Sequence, residues 1–205
     1  MNRMMVVVLV FVAAGVWPVR SAEAIGPCEA QKQLAPRPLK HGPDRRAALA
    51  IGDSVMLGAA ESLAGTGIRV NARGCRQMVA ALDILAKHKQ RGGLPRVVIL
   101  EMGSNASVSV AEIQRALHLL TRRQLLVLVT PRGPDADAAR IRRAGRKHPH
   151  RICVEDWAAA SIAHPAWAPG DGLHLSYAGI DAFTRMLKPY RRVRPPQDGR
   201  PTRCP

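Results

Sequence analysis

The sequence predicts an α/β fold in which a parallel sheet of five strands is covered by helices. Short apolar runs alternate along the chain with longer segments of helical character. The runs Val97–Leu100 and Leu125–Val129 are apolar at every position, which is typical of strands buried on both faces. Alternation of such strands with helices indicates parallel pairing.

The predicted elements follow one another from a first strand to a closing helix. The strands are Ala47–Gly52, Ile68–Ala72, Arg96–Met102, Leu125–Thr130 and Arg151–Glu155. The helices are Val55–Leu63, Val79–Lys89, Val110–Arg122, Asp135–Lys147 and Tyr177–Leu187. Because right-handed crossovers place every strand-to-helix loop at one edge, we expect a ligand at the carboxyl end of the sheet.

Residues 1–24 have the pattern of a secretory signal peptide. Arg3 precedes an apolar run that begins at Met4, and Ala22–Ala24 offers a small-x-small cleavage site. An uncleaved anchor is the alternative, because the apolar stretch can extend to Val19. Export would place the protein outside the cytoplasmic membrane, either secreted or in the periplasm or cell envelope.

Two Pro- and Arg-rich segments flank a predicted domain of residues 47–188. Residues 25–46 have little apolar periodicity and are interpreted as a linker. Residues 189–205 are interpreted as an Arg/Pro-rich tail on the same grounds. The length between them suits a single hydrophobic core.

Four cysteines in an exported chain predict disulfides and leave three complete pairings open. The cysteines are Cys28, Cys75, Cys153 and Cys204. A bond between Cys28 and Cys204 is one expectation, since it would tie the two ends of the chain together. The spacing matches no zinc signature, so no metal site is predicted.

The net charge of +16 favours anionic partners. Aromatic residues make up only 3% of the chain, and no basic run is interleaved with residues that stack on bases. No specific nucleic-acid partner is therefore predicted. An anionic cell-envelope polymer is the partner that the charge favours.

Ser54 follows the first predicted strand, where its hydroxyl is exposed at the sheet edge. The helix that begins after it offers backbone N–H groups to a developing oxyanion. The alternative is that Ser54 or Asp53 only caps this helix, because both residue types favour that position.

Asp171 and His174 lie within one turn, where a carboxylate can orient a histidine that acts as a general base. The alternative is a surface turn in which Asp171 caps locally. Combined with Ser54, the pair predicts a catalytic triad for acyl transfer.

Donors for an oxyanion follow two further strands. The side-chain amide of Asn105 ends the segment Gly103–Asn105, and the backbone N–H of Gly74 or Cys75 follows the second strand. Ordinary strand-exit turns are the alternative for both segments.

Arg76 and Gln77 continue that second loop. Their side chains could bind substrate, or pair structurally with a carboxylate.

Four separate blocks of the sequence resemble those of the SGNH (GDSL-type) hydrolase superfamily, from about Ala47 to Leu187. The matching residues are Ser54 in Gly52–Ser54, Gly74 in Arg73–Cys75, Asn105 in Gly103–Asn105 and His174 in Asp171–His174. The resemblance implies a flavodoxin-like, three-layer α/β/α fold.

It also implies roles for these residues. Ser54 would be the nucleophile, His174 the base and Asp171 its partner. The Ser54 amide, Gly74 and Asn105 would form the oxyanion hole. No metal or organic cofactor is implied.

The segments Ile51–Gly58 and Arg73–Gln77 are similar to the extracytoplasmic SGNH domains of cell-envelope acyltransferases. Those domains acetylate peptidoglycan or other polysaccharides and usually follow a multi-span membrane domain that delivers the acetyl group. We find no such membrane domain in this sequence, so transfer would require a separate acyl-donor protein, and hydrolysis is expected.

The leading hypothesis is therefore an exported serine esterase that cleaves a small acyl ester, an O-acetyl group on a carbohydrate, through an acyl-Ser54 intermediate. One alternative is an O-acetyltransferase that acts on a cell-envelope polysaccharide. Another is a non-catalytic, basic envelope-binding protein that works through its Arg-rich tail.

Overall fold

A computed structural model describes Cys28 and residues 30–34, 47–192 and 204–205. The strands are β1 (Gln31–Leu34), β2 (Leu49–Gly52), β3 (Arg69–Arg73), β4 (Val97–Glu101), β5 (Leu125–Val129) and β6 (Ile152–Glu155). The helices are α1 (Ser54–Gly58), α2 (Ala60–Gly65), α3 (Met78–Gln90), α4 (Val110–Leu119), α5 (Asp135–Lys147), α6 (Trp157–Ala163) and α7 (Tyr177–Leu187). Two 3₁₀ turns lie at Pro165–Trp167 and Lys188–Arg192.

The strands form one sheet in the order β1-β3-β2-β4-β5-β6. All neighbours pair in parallel except β1, which runs antiparallel to β3 at the edge. From β2 the chain winds outward to β3 and then crosses back to β4, so the direction of winding reverses between β2 and β4. Ser54 follows β2 and Asn105 comes after β4, which places both at this switch point, where doubly wound sheets bind ligands.

The sheet lies between two layers of helices, as the sequence predicts. Alternate residues of β4 face opposite sides: Val97 and Ile99 pack with α1, α2, α6 and α7. Val98 and Leu100 pack with α3, α4 and α5 on the other face. The all-apolar strands are therefore buried on both sides, which is the physical basis of the three-layer fold.

The prediction of five strands is wrong, because residues 31–34 of the segment interpreted as a linker form a sixth. In β1 alternate residues face solvent, so the strand lacks an apolar run. Lys32 Nζ lies 2.6 Å from Glu61 Oε1 of α2, and Leu34 packs against the core. A polar strand of four residues at a sheet edge carries almost none of the pattern by which buried strands are recognised.

Two helix predictions also differ from the structure. The predicted helix Val55–Leu63 is divided at Ala59, whose N–H bonds to Met56 O at 3.1 Å and closes α1. Helix α6 was not predicted, because its alanine-rich sequence has no clear apolar stripe.

The domain continues beyond its predicted end at residue 188. Tyr190 is fully buried, and its hydroxyl donates to Glu155 Oε1 at 2.5 Å. Arg191 donates to the carbonyl of Thr66 at 2.9 Å. The Pro- and Arg-rich composition of this segment predicts a tail outside the domain, but its one aromatic residue, Tyr190, packs into the core.

The cysteines pair as Cys28–Cys75 and Cys153–Cys204, so the expected Cys28–Cys204 bond is wrong. Cys75 follows β3 beside one edge of the sheet, and Cys153 lies in β6 at the other edge. Six strands spaced about 4.8 Å apart separate those edges by roughly 24 Å. The segment before the parallel strands and the segment after them are therefore each bonded to the sheet edge beside it.

In the part of the chain that the structure describes, no helix is both long enough and apolar enough to cross a bilayer. The predicted signal peptide, residues 1–24, lies outside the described residues. So do residues 35–46 of the predicted linker and residues 193–203 of the predicted tail.

The loop that carries Asp171 and His174 is closed at its base by a contact between α7 and Trp167. The Ser176 N–H donates to Trp167 O at 2.9 Å, and the Ser176 hydroxyl accepts from the Gly179 N–H at 3.2 Å. A Cβ at position 179 would overlap this Trp167 carbonyl. Glycine at position 179 therefore permits the approach that sets the base of the loop.

We expect Gly179→Ala to lower the free energy of unfolding by about 1–3 kcal/mol, because backbone must move to admit the methyl group. Gly58→Ala is the matched control, since nothing lies within 4 Å of its Cβ position. That change should leave stability unchanged or raise it by up to about 1 kcal/mol. Denaturant unfolding of both variants measures the difference, and equal effects would contradict the close approach at position 179.

Candidate active site

Ser54 is the first residue of α1 and is half-buried directly after β2. The side chain that caps α1 belongs to Asp53, whose Oδ1 accepts from the Val55 N–H at 2.9 Å. Among the described residues no hydrogen bond uses the Ser54 hydroxyl, which leaves it available for chemistry. The capping alternative thus applies to Asp53 and not to Ser54.

Asp53 connects Ser54 to the loop after β4. Its carboxylate is fully buried, and Oδ2 accepts from Asn105 Nδ2 at 3.1 Å. An amide group has two N–H donors, so this bond fixes the orientation of the Asn105 side chain and leaves a second donor available.

A second buried carboxyl group, that of Glu101 at the end of β4, lies beneath Asp53. The Asp53 N–H donates to Glu101 Oε2 at 3.2 Å. Burial and the neighbouring carboxyl raise the pKa of Glu101 well above its ordinary value. Burial also raises the pKa of Asp53, but hydrogen bonds from its neighbours oppose that shift. We therefore assign the negative charge to Asp53 and the proton to Glu101.

Arg76 supports the same region from the side of β3. Its side chain is buried, and Nη1 donates to Gly52 O at 3.0 Å and to Asn71 O, while Nη2 donates to Asn71 Oδ1 at 2.8 Å. Burial lowers the pKa of Arg76 to about 10, so the guanidinium stays charged at neutral pH and acts electrostatically on Asp53. The recorded hydrogen bonds of Arg76 therefore join β2 to β3.

The loop after β3 does not offer the predicted Gly74 donor, because the Gly74 N–H bonds to Ala30 O at 2.8 Å. The next residue, Cys75, has a φ of 53° and is bonded to Cys28. In the described part of the chain the Cys75 N–H has no hydrogen-bond partner. It is an available donor in this loop. Gln77 is exposed just before α3 and remains a candidate for contact with substrate.

Asp171 and His174 form the predicted pair. His174 Nδ1 lies 2.5 Å from Asp171 Oδ2. Asp171 Oδ1 accepts from the N–H groups of Leu173 and His174, both at 2.8 Å. These bonds lower the pKa of Asp171, so its carboxylate stays ionised and holds the imidazole by Nδ1. Nε2 is then the nitrogen available to act as a base.

The structure does not bring every member of the predicted triad into contact. Across the described residues no hydrogen bond joins His174 to Ser54, and both side chains remain accessible to solvent. In enzymes without bound substrate, such bonds are often long and tighten only in the reactive complex.

The loop after β5 enters the site, although it was not predicted to do so. Gly103 has a φ of 124°, and a Cβ there would lie 2.5 Å from Pro131 Cγ. Arg132 continues this loop and reaches Gly172, whose φ is 74°. The position of this loop directly after β5 could have predicted its place in the site, since β5 ends at the same edge of the sheet as β2 and β4.

No three side chains of the residue types His, Cys, Asp and Glu are grouped for metal binding within the described ranges.

No protein-family model matches the chain. A search of curated proteins finds similarity to O-acetyltransferase OatA of Staphylococcus aureus, at 29% identity over 146 residues. YrhL of Bacillus subtilis, provisionally named as a peptidoglycan O-acetyltransferase, is 26% identical over 144 residues. Each match covers 68% of this chain but only 24% and 23% of the relative, so the chain spans about a quarter of these proteins.

A solved structure extends the likeness to the fold. It is the C-terminal catalytic domain of Streptococcus pneumoniae peptidoglycan O-acetyltransferase A, with a methylsulfonyl adduct. The TM-score is 0.61 at 26% identity, over 70% of this chain and 88% of that domain. In sequence and in fold, the chain is therefore similar to the catalytic domains of bacterial O-acetyltransferases.

Proposed function

We propose that this chain is a serine O-acetyltransferase that places acetyl groups on hydroxyls of a cell-envelope glycan. The observation that carries the proposal is the Asp171–His174 pair at the sheet edge that presents Ser54, in a chain similar to O-acetyltransferase catalytic domains. Esterase activity is the reaction predicted from the sequence. The likeness to transferases supports its stated alternative better.

In the first half-reaction, His174 Nε2 takes the proton of Ser54 Oγ, and Oγ bonds to the carbonyl carbon of the donor ester. The carbonyl oxygen becomes an oxyanion. The bond to the donor alcohol then breaks, and the alcohol leaves with the proton from His174. Acetyl-Ser54 remains.

In the second half-reaction, a glycan hydroxyl gives its proton to His174 Nε2 and attacks the acetyl carbon. The bond to Ser54 Oγ breaks and the proton returns to Ser54. Water in place of the glycan hydroxyl would release acetate instead, so transfer requires that the glycan occupy the site.

Three donors suit the oxyanion: the N–H of Ser54, the N–H of Cys75 and the second N–H of Asn105. Asp53 prepares the last of these by holding the first N–H of the Asn105 amide. Such donors act most strongly when they are oriented before the charge develops.

The surroundings of the proposed reaction follow from the chain as a whole. Two disulfides are suited to an oxidising compartment outside the cytoplasm. The net charge of +16 favours retention on anionic envelope polymers.

We expect the protein to transfer acetyl from p-nitrophenyl acetate to an N-acetylglucosamine oligomer, as detected by mass spectrometry. Ser54→Ala should abolish the product, because no acyl-enzyme can form. Ser62→Ala, an exposed serine on α2, is the control and should retain activity. Release of acetate without any acetylated sugar would instead support the esterase.

Asp171→Asn should lower kcat by about 10²- to 10⁴-fold with little change in folding. The Asn oxygen can still accept from the two backbone N–H groups, but its NH₂ group would face His174 Nδ1. This arrangement favours the tautomer in which Nε2 carries the proton and cannot act as a base. A steady-state assay beside a thermal unfolding scan checks the prediction, and unchanged kcat would remove Asp171 from the mechanism.

Asp53→Asn should lower kcat by about 10²-fold with a small effect on KM, because its NH₂ group would repel the Asn105 amide and misalign the oxyanion donor. Asn105→Ala should have a similar effect. If the two residues act as one unit, the double variant should be no worse than either single variant. Effects that simply multiply would contradict the proposed role of Asp53.

A further inference from the structure

Cys75 has a backbone conformation that residues with a side chain rarely adopt. Its φ is 53°, and it is the only residue other than glycine with a positive φ in the part of the chain that the structure describes. In this left-handed region the Cβ atom comes too close to the backbone, so most residues avoid it. Such a residue keeps its conformation only where the surrounding structure enforces it, and residues of this kind are concentrated at active sites.

The conformation of Cys75 sets the direction of one proposed oxyanion donor, its own N–H. On one side Gly74 is fixed, because its N–H donates to Ala30 O at 2.8 Å. On the other side Arg76 is fixed, because its buried guanidinium donates to Gly52 O at 3.0 Å. The planar peptide between Gly74 and Cys75 carries the donor, and rotation about the bonds that flank this plane turns the N–H. A change of φ at Cys75 would therefore turn this N–H away from its present direction.

The contact that enforces this conformation is the disulfide to Cys28. The bond attaches to the side chain of Cys75, so a swing of its Cβ atom would pull against the link. Cys28 is itself held, since its carbonyl accepts from Arg73 Nε at 3.4 Å and the strand that follows it pairs with β3. The two Cα atoms lie 4.8 Å apart, although the residues are 47 positions apart in sequence. The disulfide thus couples the position of β1 to the backbone of Cys75.

The disulfide is accessible from the side of β1 and α3. Cys28 is exposed, and both cysteines line a cleft of about 660 Å³ between the edge strand and the start of α3. Thiol–disulfide exchange requires attack by a thiolate, and the cationic side chains of Arg73 and Lys87 in the same cleft favour the approach of an anion. The bond can therefore be reduced in the folded protein.

We propose that Cys28 is a positioning residue: its disulfide holds the Cys75 N–H toward the oxyanion, so that acyl transfer at Ser54 requires the bond to be oxidised. This inference rests on the proposed function and adds a form of regulation to it, by the redox state of the surroundings. A dithiol gives two electrons and two protons to the S–S bond, which becomes two thiols, and the dithiol becomes a cyclic disulfide. In the reduced protein Cys75 relaxes out of the left-handed region and the oxyanion loses this donor.

The first test removes the bond and then removes the need for it. With p-nitrophenyl acetate as substrate, Cys28→Ser should lower kcat by about 10²-fold and change KM by less than about threefold, because an oxyanion donor acts on the transition state. Adding Cys75→Gly should return kcat to within about tenfold of wild type, because glycine adopts a positive φ without steric cost. The double variant also lacks the disulfide, so a role in stability alone would give no rescue. Unchanged kcat in Cys28→Ser, or a loss that Cys75→Gly does not rescue, overturns the proposal.

Reduction of the unaltered protein makes the same comparison without a substitution. Dithiothreitol should lower kcat by about 10²-fold while far-UV circular dichroism stays unchanged, and reoxidation with glutathione disulfide should restore it. Cys28→Ser/Cys75→Gly should be insensitive to the reductant. Activity that persists in wild-type protein whose four thiols are shown by titration to be reduced overturns the proposal.

Cys153→Ser/Cys204→Ser is the matched control, because it removes the disulfide at the opposite edge of the sheet. It should keep kcat within about threefold of wild type, since that bond lies far from the candidate site, and it should remain sensitive to dithiothreitol. An equal loss of kcat in this variant and in Cys28→Ser, both assayed below their thermal unfolding midpoints, would mean that the bonds act only on stability.

The backbone of residue 75 separates this inference from the proposed function. A crystal structure of Cys28→Ser should show φ outside the left-handed region, and a φ still near 53° overturns the inference whatever the activity. If the wild type hydrolyses p-nitrophenyl acetate in a disulfide-dependent manner but acetylates no glycan, the transferase function fails and the positioning role stands. If reduced and oxidised protein acetylate a glycan at the same rate, the function stands and the positioning role fails.

Discussion

The buried carboxylate of Asp53 is the group on which the candidate site depends. It caps the helix that begins with Ser54, and it holds the amide of Asn105 from the next strand of the sheet. These two contacts join segments that lie on either side of the point where the winding of the sheet reverses. One ionised side chain therefore sets the relative positions of the proposed nucleophile and a proposed oxyanion donor, which are 51 residues apart, counting from 54 to 105.

Keeping a negative charge in this place requires compensation, because a buried carboxylate without partners is strongly disfavoured. Glu101 contributes by holding a proton, so the two carboxyls do not carry two charges. Arg76 contributes a buried positive charge, which is itself satisfied by the carbonyls of Gly52 and Asn71. The arrangement fixes the end of β2 against β3, and it explains why the Arg76 side chain is directed inward.

The elements that could be predicted from the sequence are those whose residues are buried in the core. The five parallel strands were predictable because apolar runs such as Leu125–Val129 have no other stable location in a small domain. Edge strand β1 was not, since its Lys and Gln residues meet water and carry no periodic apolar pattern. Its antiparallel pairing with β3 is set by contacts and a disulfide to residues distant in sequence.

The same contrast holds for the site. The Asp171–His174 pair is local in sequence, so a motif was sufficient to predict it. The hydrogen bond from the Gly74 N–H to Ala30 O depends on the position of β1, and no sequence motif predicts that strand. Arg132 was missed because a single arginine in an Arg-rich chain is conspicuous only when its neighbours in space are known.

The disulfide between Cys28 and Cys75 holds β1 in place at the edge of the sheet, beside β3. Without β1, the outer side of β3 would present a row of unpaired backbone groups to other protein molecules, and such edges promote self-association. A polar four-residue strand is too short to hold that position firmly by its ladder alone, and the covalent link compensates for this weakness. Because the link requires oxidation, this edge strand would be held covalently only in an oxidising compartment, and under reducing conditions the border of the sheet would rest on a four-residue ladder.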